Sequence, residues 1–570
     1  MTLTITPARY MAMAALAVLA CCAMDIHIYE YQYGFENHSI QIPYLLKWQN
    51  PALYPGDRLM AAMDDYFSYF WPFLGWLSGI VPLERCLFAG HVIVLLLRYS
   101  AVFAIGARSF PNHRWVPFLC LWVHLWGETV LGGESLHWYY LTHTTVAAAL
   151  GLWAVYFGVA GWWVAAFGMA GFIFNIHAMQ SAYLVLMLGL AALPDLRQRW
   201  RVLLAAGLCY AVAASPGIWW MLNSGALGSP TDLGPLIRAF YPVHFFPSAF
   251  DVYIKAGIAL MMVLYVVPAM LLPRTGPVVR LSLMALAIIV LWIVGGVLLE
   301  NFDVGFLIKM HIYRASAFFA SVVFVLVSGW YVIWLLPSLP RSIRTPAMTV
   351  GLALAINLGS FNFLRYEQLP IGLAVAVAAL LILVAIIARS VPVRGVALGV
   401  ATALLLVVGI HQQRTRHQNM HDYFWWLGQW VEAQKWAQEN SEPGDLFLTP
   451  PDMSGFRVFS QRPVVFEWFD GAAMLWDAGY ADYWRGWYLR IGAKFRGRYD
   501  DSAYVRLGDI WGAKSRAEIE AIARSEGARY IVARPPHRFV SDHRPSDEWA
   551  DGKLFDNGSF FIVRVPGAPP

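Results

Sequence analysis

The run LSLMALAIIVLWIVGGVLL, residues 281–299, decides the fold because nineteen consecutive residues carry no charged side chain. As an α-helix, such a run spans the ~30 Å hydrocarbon core of a bilayer. Similar runs recur along the chain, whose 570 residues are 59% hydrophobic and only 14% charged. A soluble domain is typically about half apolar and a quarter charged. The composition therefore predicts a polytopic membrane protein. It excludes a single soluble domain, a disordered chain and a β-barrel, whose strands alternate polar and apolar residues.

Thirteen apolar runs predict a mainly α-helical membrane domain over residues 1–411, followed by a second domain over residues 412–570. The predicted transmembrane helices cover residues 8–25, 86–106, 115–131, 143–159, 161–176, 179–194, 202–222, 254–272, 281–299, 313–336, 347–363, 369–388 and 394–411. Two of the loops between them are long. Residues 26–85 are rich in Tyr, Trp, Pro and acids, and residues 223–253 contain four prolines, which predicts irregular or re-entrant structure. Loops of this length are usually functional or disordered.

Arginines on alternate connectors predict the orientation of the chain. Asp195 is the only acidic residue among them, and the positive-inside rule places this side in the cytoplasm. The N-terminus is then cytoplasmic, and an odd number of spans sends residues 412–570 outward. The arginines are Arg9, Arg108, Arg114, Arg197, Arg199, Arg201, Arg274, Arg280, Arg341, Arg344, Arg389 and Arg394. The acids of the other connectors are Glu30, Glu36, Asp57, Asp64, Asp65, Glu134, Asp232, Asp251, Asp303 and Glu367.

Residues 412–570 alternate predicted strands and helices, which favours a small α/β domain. Helices are predicted at 421–440 and 515–525, and strands at 445–448, 457–459, 463–466, 530–533 and 559–565. No glycine-rich phosphate loop opens a helix, so nucleotide binding is not predicted. The net charge of +5 is not gathered into a basic stripe, so nucleic acid is not a predicted partner either.

The first outer loop carries the most informative segments, YQYGFENHSIQIPY at residues 31–44 and NPALYPGD at residues 50–57. Glu36 lies just beyond the first helix, and a carboxylate in a partly dry, aromatic cleft is suited to act as a general base. His38 is placed to orient or supplement it. Asp57 follows a Tyr-Pro-Gly turn that aims it at the same cleft. The alternative is an interfacial loop with solvated acids and with Tyr and Pro as membrane-surface anchors.

A second outer patch is GGESLHWYY at residues 132–140. Its two glycines allow the backbone to approach a neighbour closely. The i, i+3 spacing of Glu134 and His137 predicts that both lie on one side of a helical turn. The alternative reading is helix capping and interface packing. A pair of this kind without further ligands gives little support to a metal site.

Ionisable residues inside predicted spans are costly and need partners. Arg98 is nearest to the middle of a span, so we expect a buried partner or a water-filled cavity beside it. His177 and Gln180 flank a short outer turn, where a structural hydrogen-bonding role is favoured over a catalytic one.

Lys309, His311 and Arg314 form a basic cluster at an outer membrane boundary. Arginine binds phosphate through two parallel hydrogen bonds, and this depth is where the phosphate of a lipid carrier lies. Arg238 and His244, in the 223–253 loop, are candidates for additional positive charge. The alternative is that these residues contact ordinary lipid head groups.

Taken with the many spans and the irregular middle loop, residues 36–43 and 54–57 resemble the first loop of bacterial integral-membrane glycosyltransferases of the C superfamily (GT-C). The runs FRVFSQRPVVF (456–466) and GARYIV (527–532) resemble the periplasmic domain of the same family. The resemblance implies a bacterial inner-membrane enzyme with a periplasmic C-terminal domain. It implies transfer of a sugar from a polyprenyl-phosphate carrier to a lipid, glycan or protein acceptor, by a single inverting displacement.

With that resemblance, the catalytic candidates are Glu36, Asp57 and Glu134. The substrate-binding candidates are His38, Gln41, His137, His177, Arg238, Lys309, His311 and Arg314. Glu36 stands where the family places its base, although many members carry Asp there. The paired D-D or D-x-D pattern of the metal-using branches is absent from the start of this loop, and Asp64-Asp65 lies downstream. We therefore assign no metal ligand, and a divalent metal has no support in the sequence.

Two other functions stay open. A transporter or flippase would explain the thirteen spans and the buried Arg98 and His177, but it predicts paired internal repeats, which the sequence does not contain. A non-catalytic subunit of an envelope-polysaccharide assembly system is the second. The sequence does not name the sugar or the acceptor.

Overall fold

The computed structural model describes residues 6–66, 68–127, 129, 131–224, 233–338, 377, 381, 390–494, 503–534, 549 and 551–567. The predicted spans 347–363 and 369–388 lie outside the described residues, apart from residues 377 and 381. Among the described residues, 7 helical stretches are long and apolar enough to cross a membrane by length and composition, and two shorter apolar helices accompany them. The chain is therefore a mainly helical, multi-pass membrane protein.

The ten spans predicted before residue 337 each coincide with a helix. The helices of this part are α1 (Pro7–Tyr29), α2 (His38–Gln49), α3 (Arg58–Ala62), α4 (Phe70–Ser78), α5 (Leu83–Ser109), α6 (Val116–Trp126), α7 (His143–Ala160), α8 (Trp163–Phe174), α9 (Ala178–Ala192), α10 (Leu196–Asn223), α11 (Leu233–Phe240), α12 (Val252–Leu271), α13 (Gly276–Phe302), α14 (Gly305–Lys309), α15 (Ser316–Trp330) and α16 (Leu336–Ser338). The first outer loop contains α2, α3 and α4, and the described part of the 223–253 loop contains α11 and two 3-10 turns.

Local sequence signals fix where α7 begins and ends. The Thr142 side chain accepts a hydrogen bond from Thr145 N, and the Thr145 side chain accepts one from Thr142 N, which forms a capping box. Gly161 ends the helix in the left-handed conformation that glycine adopts without strain. The outer end of α7 is thereby held at a defined point directly after residues 131–142, which form the centre of the candidate site.

Two of the arginine-bearing connectors, those with Arg199 and Arg280, lie together at one end of the helices. Asp195, the single acid among them, is 2.8 Å from Arg280 Nη2 and 3.8 Å from Arg199 Nη1. Arg199 and Arg280 also donate hydrogen bonds to the backbone carbonyls of Gly161 and Val159, which lie at the end of α7. These two connectors are thus on the same side of the helices, as the alternate-connector pattern predicts.

Beyond the membrane part, one continuous helix, α17 (Val391–Asn440), replaces the predicted span 394–411 and the separate helix 421–440. The domain boundary predicted at residue 411 falls inside this helix, so the division of the chain stays a prediction. The remaining elements are β1 (Phe447–Leu448), α18 (Phe456–Ser460), α19 (Ala478–Arg490), α20 (Ala503–Gly512), α21 (Arg516–Glu526), β2 (Tyr530–Ala533), β3 (Lys553–Asp556) and β4 (Phe561–Arg564). The four strands form a mixed sheet in the order β1-β2-β4-β3, with β1 parallel to β2 and the other pairs antiparallel.

Two of the predicted strands are wrong. Residues 457–459 belong to α18, because the Glu467 carboxylate accepts hydrogen bonds from Gly455 N and Phe456 N and so satisfies the first amides of a helical turn. Residues 463–466 contribute only a parallel bridge between Phe447 and Val464. The predicted helix at 515–525 is confirmed as α21, and the strands predicted near 447, 530 and 561 are confirmed as β1, β2 and β4.

Candidate active site

The loop between α6 and α7 contacts the first outer loop and the start of α15. We call residues 131–142 the central loop. The first outer loop joins it where Gln32 N donates a hydrogen bond to Tyr139 O. Thr129 Oγ1 and Ser316 Oγ, at the start of α15, lie 2.6 Å apart, and Ser316 Oγ also donates to Leu131 O. The central loop therefore contacts the first outer loop and the start of α15, directly after the segment that carries Lys309, His311 and Arg314.

Glu36 presents an exposed carboxylate beside two tyrosines of the central loop. Tyr140 donates its hydroxyl proton to Glu36 Oε2 over 2.9 Å, and the Tyr139 hydroxyl also hydrogen-bonds to Glu36. Burial of the rings, and next the Glu36 charge, raises the pKa of both phenols, so they stay protonated donors. Glu36 itself has φ 50°, a left-handed conformation that is uncommon for a non-glycine residue and recurs at functional sites. Its carboxylate is accessible and oriented.

His38 and Gln41 lie below Glu36, at the buried start of α2. His38 Nδ1 accepts a hydrogen bond from Gly34 N over 3.2 Å, and His38 Nε2 lies 2.9 Å from Leu141 O, to which it donates. Burial lowers the pKa of His38 to about 4, so the ring is neutral and joins the first loop to the central loop. Gln41 hydrogen-bonds the Tyr66 hydroxyl, while its buried Oε1 has no hydrogen-bond partner among the described residues.

Glu134 connects the tyrosines to a cation. Its Oε1 accepts a hydrogen bond from Trp138 Nε1 over 2.9 Å, and its Oε2 lies 4.0 Å from Arg314 Nε. The Trp138 ring packs edge-to-face on Tyr140, with centroids 5.4 Å apart, and Tyr140 binds Glu36. A continuous path of side-chain contacts thus runs along the central loop from the exposed Glu36 carboxylate to Arg314.

Gly132 and Gly133 bring the central loop against the loops that carry His244 and Arg314. Both glycines have positive φ, 73° and 60°. A Cβ atom on Gly132 would lie 2.5 Å from the carbonyl carbon of Tyr313, and one on Gly133 would lie 2.2 Å from His244 Nε2. Only glycine fits both the backbone conformation and the space. This is the close approach that the two glycines predict.

Four histidines surround Arg314 and interact with its charge, and we call this group with Arg314 the histidine pocket. The histidines are His143, His177, His244 and His311. Burial, and next the Arg314 charge, lowers the pKa of His177 and of His244 to about 3 and that of His311 well below its usual value. The pocket is therefore lined by neutral imidazoles around one guanidinium.

Contacts between rings fix the wall of the histidine pocket. The His143 and His177 rings stack with centroids 4.6 Å apart and an interplanar angle of 13°. His143 Nε2 lies 3.2 Å from the hydroxyl of Tyr66, the tyrosine that Gln41 binds. Among the sequence-predicted residues, the structure thus brings together Glu134, His177, His311 and Arg314, with Gln41 at the edge. His143 was not among the predicted site residues, because its sequence position at the start of a span gives no sign of the tertiary contact.

The structure places Asp57 in a different, fully buried group, which we call the arginine cluster: Asp57, Arg457, Glu467 and Asp470. Arg457 Nε lies 2.6 Å from Asp57 Oδ2, Nη1 lies 3.2 Å from Glu467 Oε2, and Nη2 lies 2.9 Å from Asp470 Oδ2. Asp57 Oδ2 also accepts from Val464 N, and Oδ1 accepts from Met60 N at the start of α3. Its two oxygens are thus occupied by contacts that attach the first outer loop to the C-terminal region.

His137 also lies elsewhere, in a cluster inside the membrane part. Asp25 Oδ2 is 2.8 Å from Arg98 Nη2 and 2.8 Å from His137 Nδ1, and it accepts a hydrogen bond from the Tyr99 hydroxyl. The partner expected for Arg98 is therefore Asp25. The prediction that Glu134 and His137 share a helical turn is wrong, because the central loop is not helical there and the two side chains bind different partners.

The membrane cluster also holds the central loop in place. Arg98 Nη1 donates to the backbone oxygen of Leu136, and His137 Nε2 lies 2.9 Å from Gly127 O. Arg98 and Glu134 both line a cavity of about 40 Å³, a volume that accommodates a few water molecules. Asp25 and Arg98 thus support the segment from which Glu134, Tyr139 and Tyr140 project.

Arg238 and Lys309 lie outside the histidine pocket. Arg238 is buried in α11, with Nη2 2.8 Å from Asp303 Oδ1 and Nη1 3.8 Å from Glu300 Oε2, and it stacks over the Phe246 ring at 3.6 Å. Its charge is balanced by these carboxylates. Lys309 ends α14 and is half-buried, and burial lowers its pKa.

The site residues do not form a metal-binding arrangement among the described residues. Within the part of the chain that the structure describes, no group of three or more His, Cys, Asp or Glu side chains is arranged to hold a metal ion. The four imidazoles of the histidine pocket surround a guanidinium rather than a space between ligands. Because Arg314 is itself a cation, the arrangement suits an anion.

The fold and the site together define a class: a multi-pass, mainly helical membrane protein with a C-terminal mixed sheet, in which the central loop connects an exposed carboxylate to a partly buried arginine. A family model described as "Domain of unknown function (DUF6798)" matches residues 428–492, which include three members of the arginine cluster. None of the curated proteins matches the chain.

Two crystal structures of ArnT from Cupriavidus metallidurans are similar to the chain over its length. The apo structure has a TM-score of 0.43 and 14% identity, with 97% of this chain and 99% of that chain covered. The structure bound to undecaprenyl phosphate has a TM-score of 0.43 and 13% identity, with 99% and 100% covered. The function proposed below rests on the side chains of this chain.

Proposed function

We propose that this protein transfers a sugar from a polyprenyl-phosphate carrier to an acceptor hydroxyl at the outer face of the membrane. The observation that carries the proposal is the path from Glu36 through Tyr140, Trp138 and Glu134 to Arg314. It joins an accessible carboxylate to a partly buried cation, as a reaction with one proton to remove and one phosphate to release requires. The resemblance of the first loop to GT-C glycosyltransferases implies the same reaction.

Glu36 is the proposed general base. Two tyrosine hydroxyls hold its carboxylate in one orientation, while its exposed surface leaves room for an acceptor hydroxyl. The acceptor oxygen attacks the anomeric carbon as its proton moves to Glu36, and the bond from that carbon to the phosphate oxygen breaks. Attack opposite the leaving group inverts the anomeric centre.

Arg314 is the proposed phosphate-binding residue. Its guanidinium offers planar N–H donors that match phosphate oxygens. The surrounding imidazoles add N–H donors without adding charge. Lys309, at the end of α14, precedes Arg314 by five residues in the sequence. Arg238 and Asp57 are occupied by ion pairs, His38 by backbone contacts, and His137 by Asp25 and the Gly127 carbonyl, so we assign these four to holding the loops in place.

The proposed orientation places residues 412–570 outside the membrane and the arginine-bearing connectors in the cytoplasm. Its support is the contact between Asp195, Arg199 and Arg280 at one end of the helices. In a bacterium this orientation corresponds to a periplasmic C-terminal region, and the thirteen-span topology is part of the same proposal. A cysteine-labelling map with a membrane-impermeant reagent on an otherwise cysteine-free chain tests both.

The experiment that tests the reaction has two stages. Lipid extracts from cells with and without the protein are compared, and the carrier-linked sugar that accumulates on deletion is the donor. Purified protein in proteoliposomes is then assayed for transfer from that donor. We expect Glu36→Gln to lower the rate by about 10²–10⁴-fold, the contribution of a positioned general base. Glu84→Gln, at another exposed glutamate near the same loop, is the matched control and should leave the rate unchanged.

The two other functions predict different results. A transporter would move the carrier across the bilayer without chemical change, and a non-catalytic subunit would show no turnover alone. If Glu36→Gln transferred the sugar at the wild-type rate, Glu36 would not be the general base. Absence of any accumulated carrier-linked sugar on deletion would remove the donor class.

A further inference from the structure

His311 has an unusual backbone and an unusual environment. It lies between α14 and the 3-10 turn Ile312–Ala315, with φ 43° and ψ 50°, the left-handed conformation. A non-glycine residue is found there rarely, and the strain persists where the surrounding structure or a function requires it. The residue is only 5% exposed, and its ring contacts the Phe245 ring at a centroid distance of 3.9 Å and an interplanar angle of 87°.

The two ring nitrogens of His311 make no hydrogen bond within the part of the chain that the structure describes. Buried polar atoms are almost always hydrogen-bonded, so a buried ring with two free nitrogens calls for an explanation. The neighbours are charged or polar, because Arg314, His244 and His177 all interact electrostatically with the ring. A strained, buried imidazole with two unbonded ring nitrogens beside a guanidinium and two other imidazoles is placed to bind an anion.

The backbone around His311 is held firmly. Tyr183 in α9 donates its hydroxyl proton to His311 O over 2.8 Å, and Trp292 in α13 donates to Ile312 O over 3.1 Å. These contacts from two helices fix the ring at one position beside Arg314. Its position is therefore set by tertiary contacts rather than by a flexible loop.

We propose that His311 takes up a proton when the carrier phosphate binds beside Arg314 and gives that proton to the phosphate as it leaves. The inference rests on the proposed function and deepens it. It assigns His311 as a catalytic residue that acts as the general acid of the reaction, at the end of the site opposite to Glu36.

The electrostatics of the pocket give the reason. In the histidine pocket, burial and next the Arg314 charge hold the pKa of His311 well below its usual value, so the ring is neutral. A phosphate anion offsets the Arg314 charge and offers oxygens that accept a hydrogen bond from the imidazolium, and both effects raise a histidine pKa. Binding of the phosphate and uptake of the proton are therefore coupled.

The step balances. The bond between the anomeric carbon and the phosphate oxygen breaks, and its electron pair stays on that oxygen. His311 transfers its proton to the phosphate, which leaves as the monoanion of the polyprenyl phosphate. Glu36 has meanwhile taken the proton of the acceptor hydroxyl and returns it to solvent, while His311 takes its next proton from solvent when the next donor binds.

Other titratable groups face the same space. They are Arg314 in the turn after His311, His177 at the start of α9, His244 in the 223–253 loop, Glu134 in the central loop and Tyr183 in α9. His177 and His244 interact with the Arg314 charge as His311 does. The test must therefore identify which imidazole carries the proton.

The experiment is calorimetric titration of the full-length protein in detergent micelles with undecaprenyl phosphate. Repeating it in two buffers of different ionisation enthalpy counts the protons taken up on binding. The test variant is His311→Asn, since asparagine tolerates the left-handed backbone and keeps an N–H donor but cannot titrate. His244→Gln tests the neighbouring imidazole of the same pocket, and the exposed His27→Gln is the matched control.

We expect the wild type, His27→Gln and His244→Gln, each measured with enough protein to saturate, to take up about one more proton per bound ligand than His311→Asn, whatever the affinity of His244→Gln. Binding coupled to one proton changes about tenfold per pH unit, so the affinity of His311→Asn should depend correspondingly less on pH. Equal proton uptake in His311→Asn and the wild type would overturn the inference. A loss confined to His244→Gln would also overturn it, by moving the role to His244.

The same titrations distinguish an error in the proposed function from an error in the general acid. If the wild type does not bind undecaprenyl phosphate, or if Arg314→Gln binds it as tightly as the wild type does, the phosphate site itself is wrong. If binding depends on Arg314 but proton uptake does not depend on His311, the site stands and only the general acid is wrong.

Discussion

Replacing Arg457 with methionine should release the first outer loop from the C-terminal region. Arg457 donates five hydrogen bonds in the arginine cluster, four of them to the carboxylates of Asp57, Glu467 and Asp470. All four side chains are at most 1% exposed. Methionine fills much of the same space without charge, so Arg457→Met leaves three carboxylates facing one another in a buried site.

The magnitude follows from burial of these charges. Removing one partner of a buried ion pair costs about 3–5 kcal/mol, because the remaining charge is left uncompensated. The energies of the individual hydrogen bonds in the cluster do not add, so the range of about 3–5 kcal/mol is taken for the loss of all of them together. Where local opening controls amide exchange, lowering the free energy of opening by 1.4 kcal/mol raises the exchange rate about tenfold. We therefore expect amides that depend on the cluster to exchange roughly 10² to 4 × 10³-fold faster in Arg457→Met.

The effect should also depend on pH. Burial, opposed by the charge of Arg457, raises the pKa of Glu467 to about 7 and of Asp470 to about 6. A carboxyl group with a raised pKa in the folded state binds its proton more tightly there than in the unfolded chain, and so favours folding at low pH. This contribution to stability is complete below the unfolded-state pKa of about 4, and it is lost as the pH rises through the folded-state pKa. The junction should thus weaken from pH 5 to pH 8 in the wild type. The deficit of Arg457→Met should be smaller at pH 5, where Glu467 and Asp470 are protonated.

Hydrogen–deuterium exchange with mass spectrometry reads this region directly. The reporter amides are Gly455 and Phe456, which donate to Glu467, and Val464, which donates to Asp57. Arg462→Met is the matched control, since Arg462 hydrogen-bonds to Ser441 and to backbone carbonyl oxygens. Exchange in Arg457→Met equal to that in Arg462→Met at pH 5 and pH 8 would refute the reasoning.

Two further predictions concern the central loop. Gly133→Ala should weaken undecaprenyl phosphate binding and lower stability by about 1–3 kcal/mol, the cost of overpacking, because its Cβ would overlap the His244 ring. Gly56→Ala is its control, having a similar positive φ but no atom within 4 Å, and an equal thermal shift in both would mean that backbone strain alone matters. Asp25→Asn should cost about 3–5 kcal/mol by leaving Arg98 unbalanced in the membrane. The double variant Asp25→Asn/Arg98→Met should regain part of the melting temperature, and no recovery would argue against the ion pair.

The helices of the membrane part were predictable because the signal is local. A run such as residues 281–299 cannot be placed in water, and a helix is the way to satisfy its backbone in hydrocarbon. The ten predicted spans up to residue 336 each coincide with a helix for this reason. The error at residues 457–459 has the opposite origin, since the Glu467 carboxylate that caps α18 lies eight or more residues away and no local pattern announces it.

Site residues were predictable by type but only partly by partner. Arg314, Glu134, His177 and His311 were chosen for their chemistry and depth, and they do lie together. Asp57 had the same appearance in the sequence as Glu36, both being acids in the first outer loop. What separates them is Arg457, 400 residues further along the chain, which occupies Asp57 and leaves Glu36 exposed.

The sequence by itself determined that this protein crosses a membrane several times, which connectors share a side, and which scarce charges merit attention. Apolar length and arginine position act locally, through the free energy of placing each segment in water or in hydrocarbon. Tertiary structure alone decided which carboxylate is accessible, which is neutralised, and which imidazoles surround Arg314. Those outcomes depend on distances between groups far apart in the chain, because the burial and pairing of a charge are set by its neighbours in space.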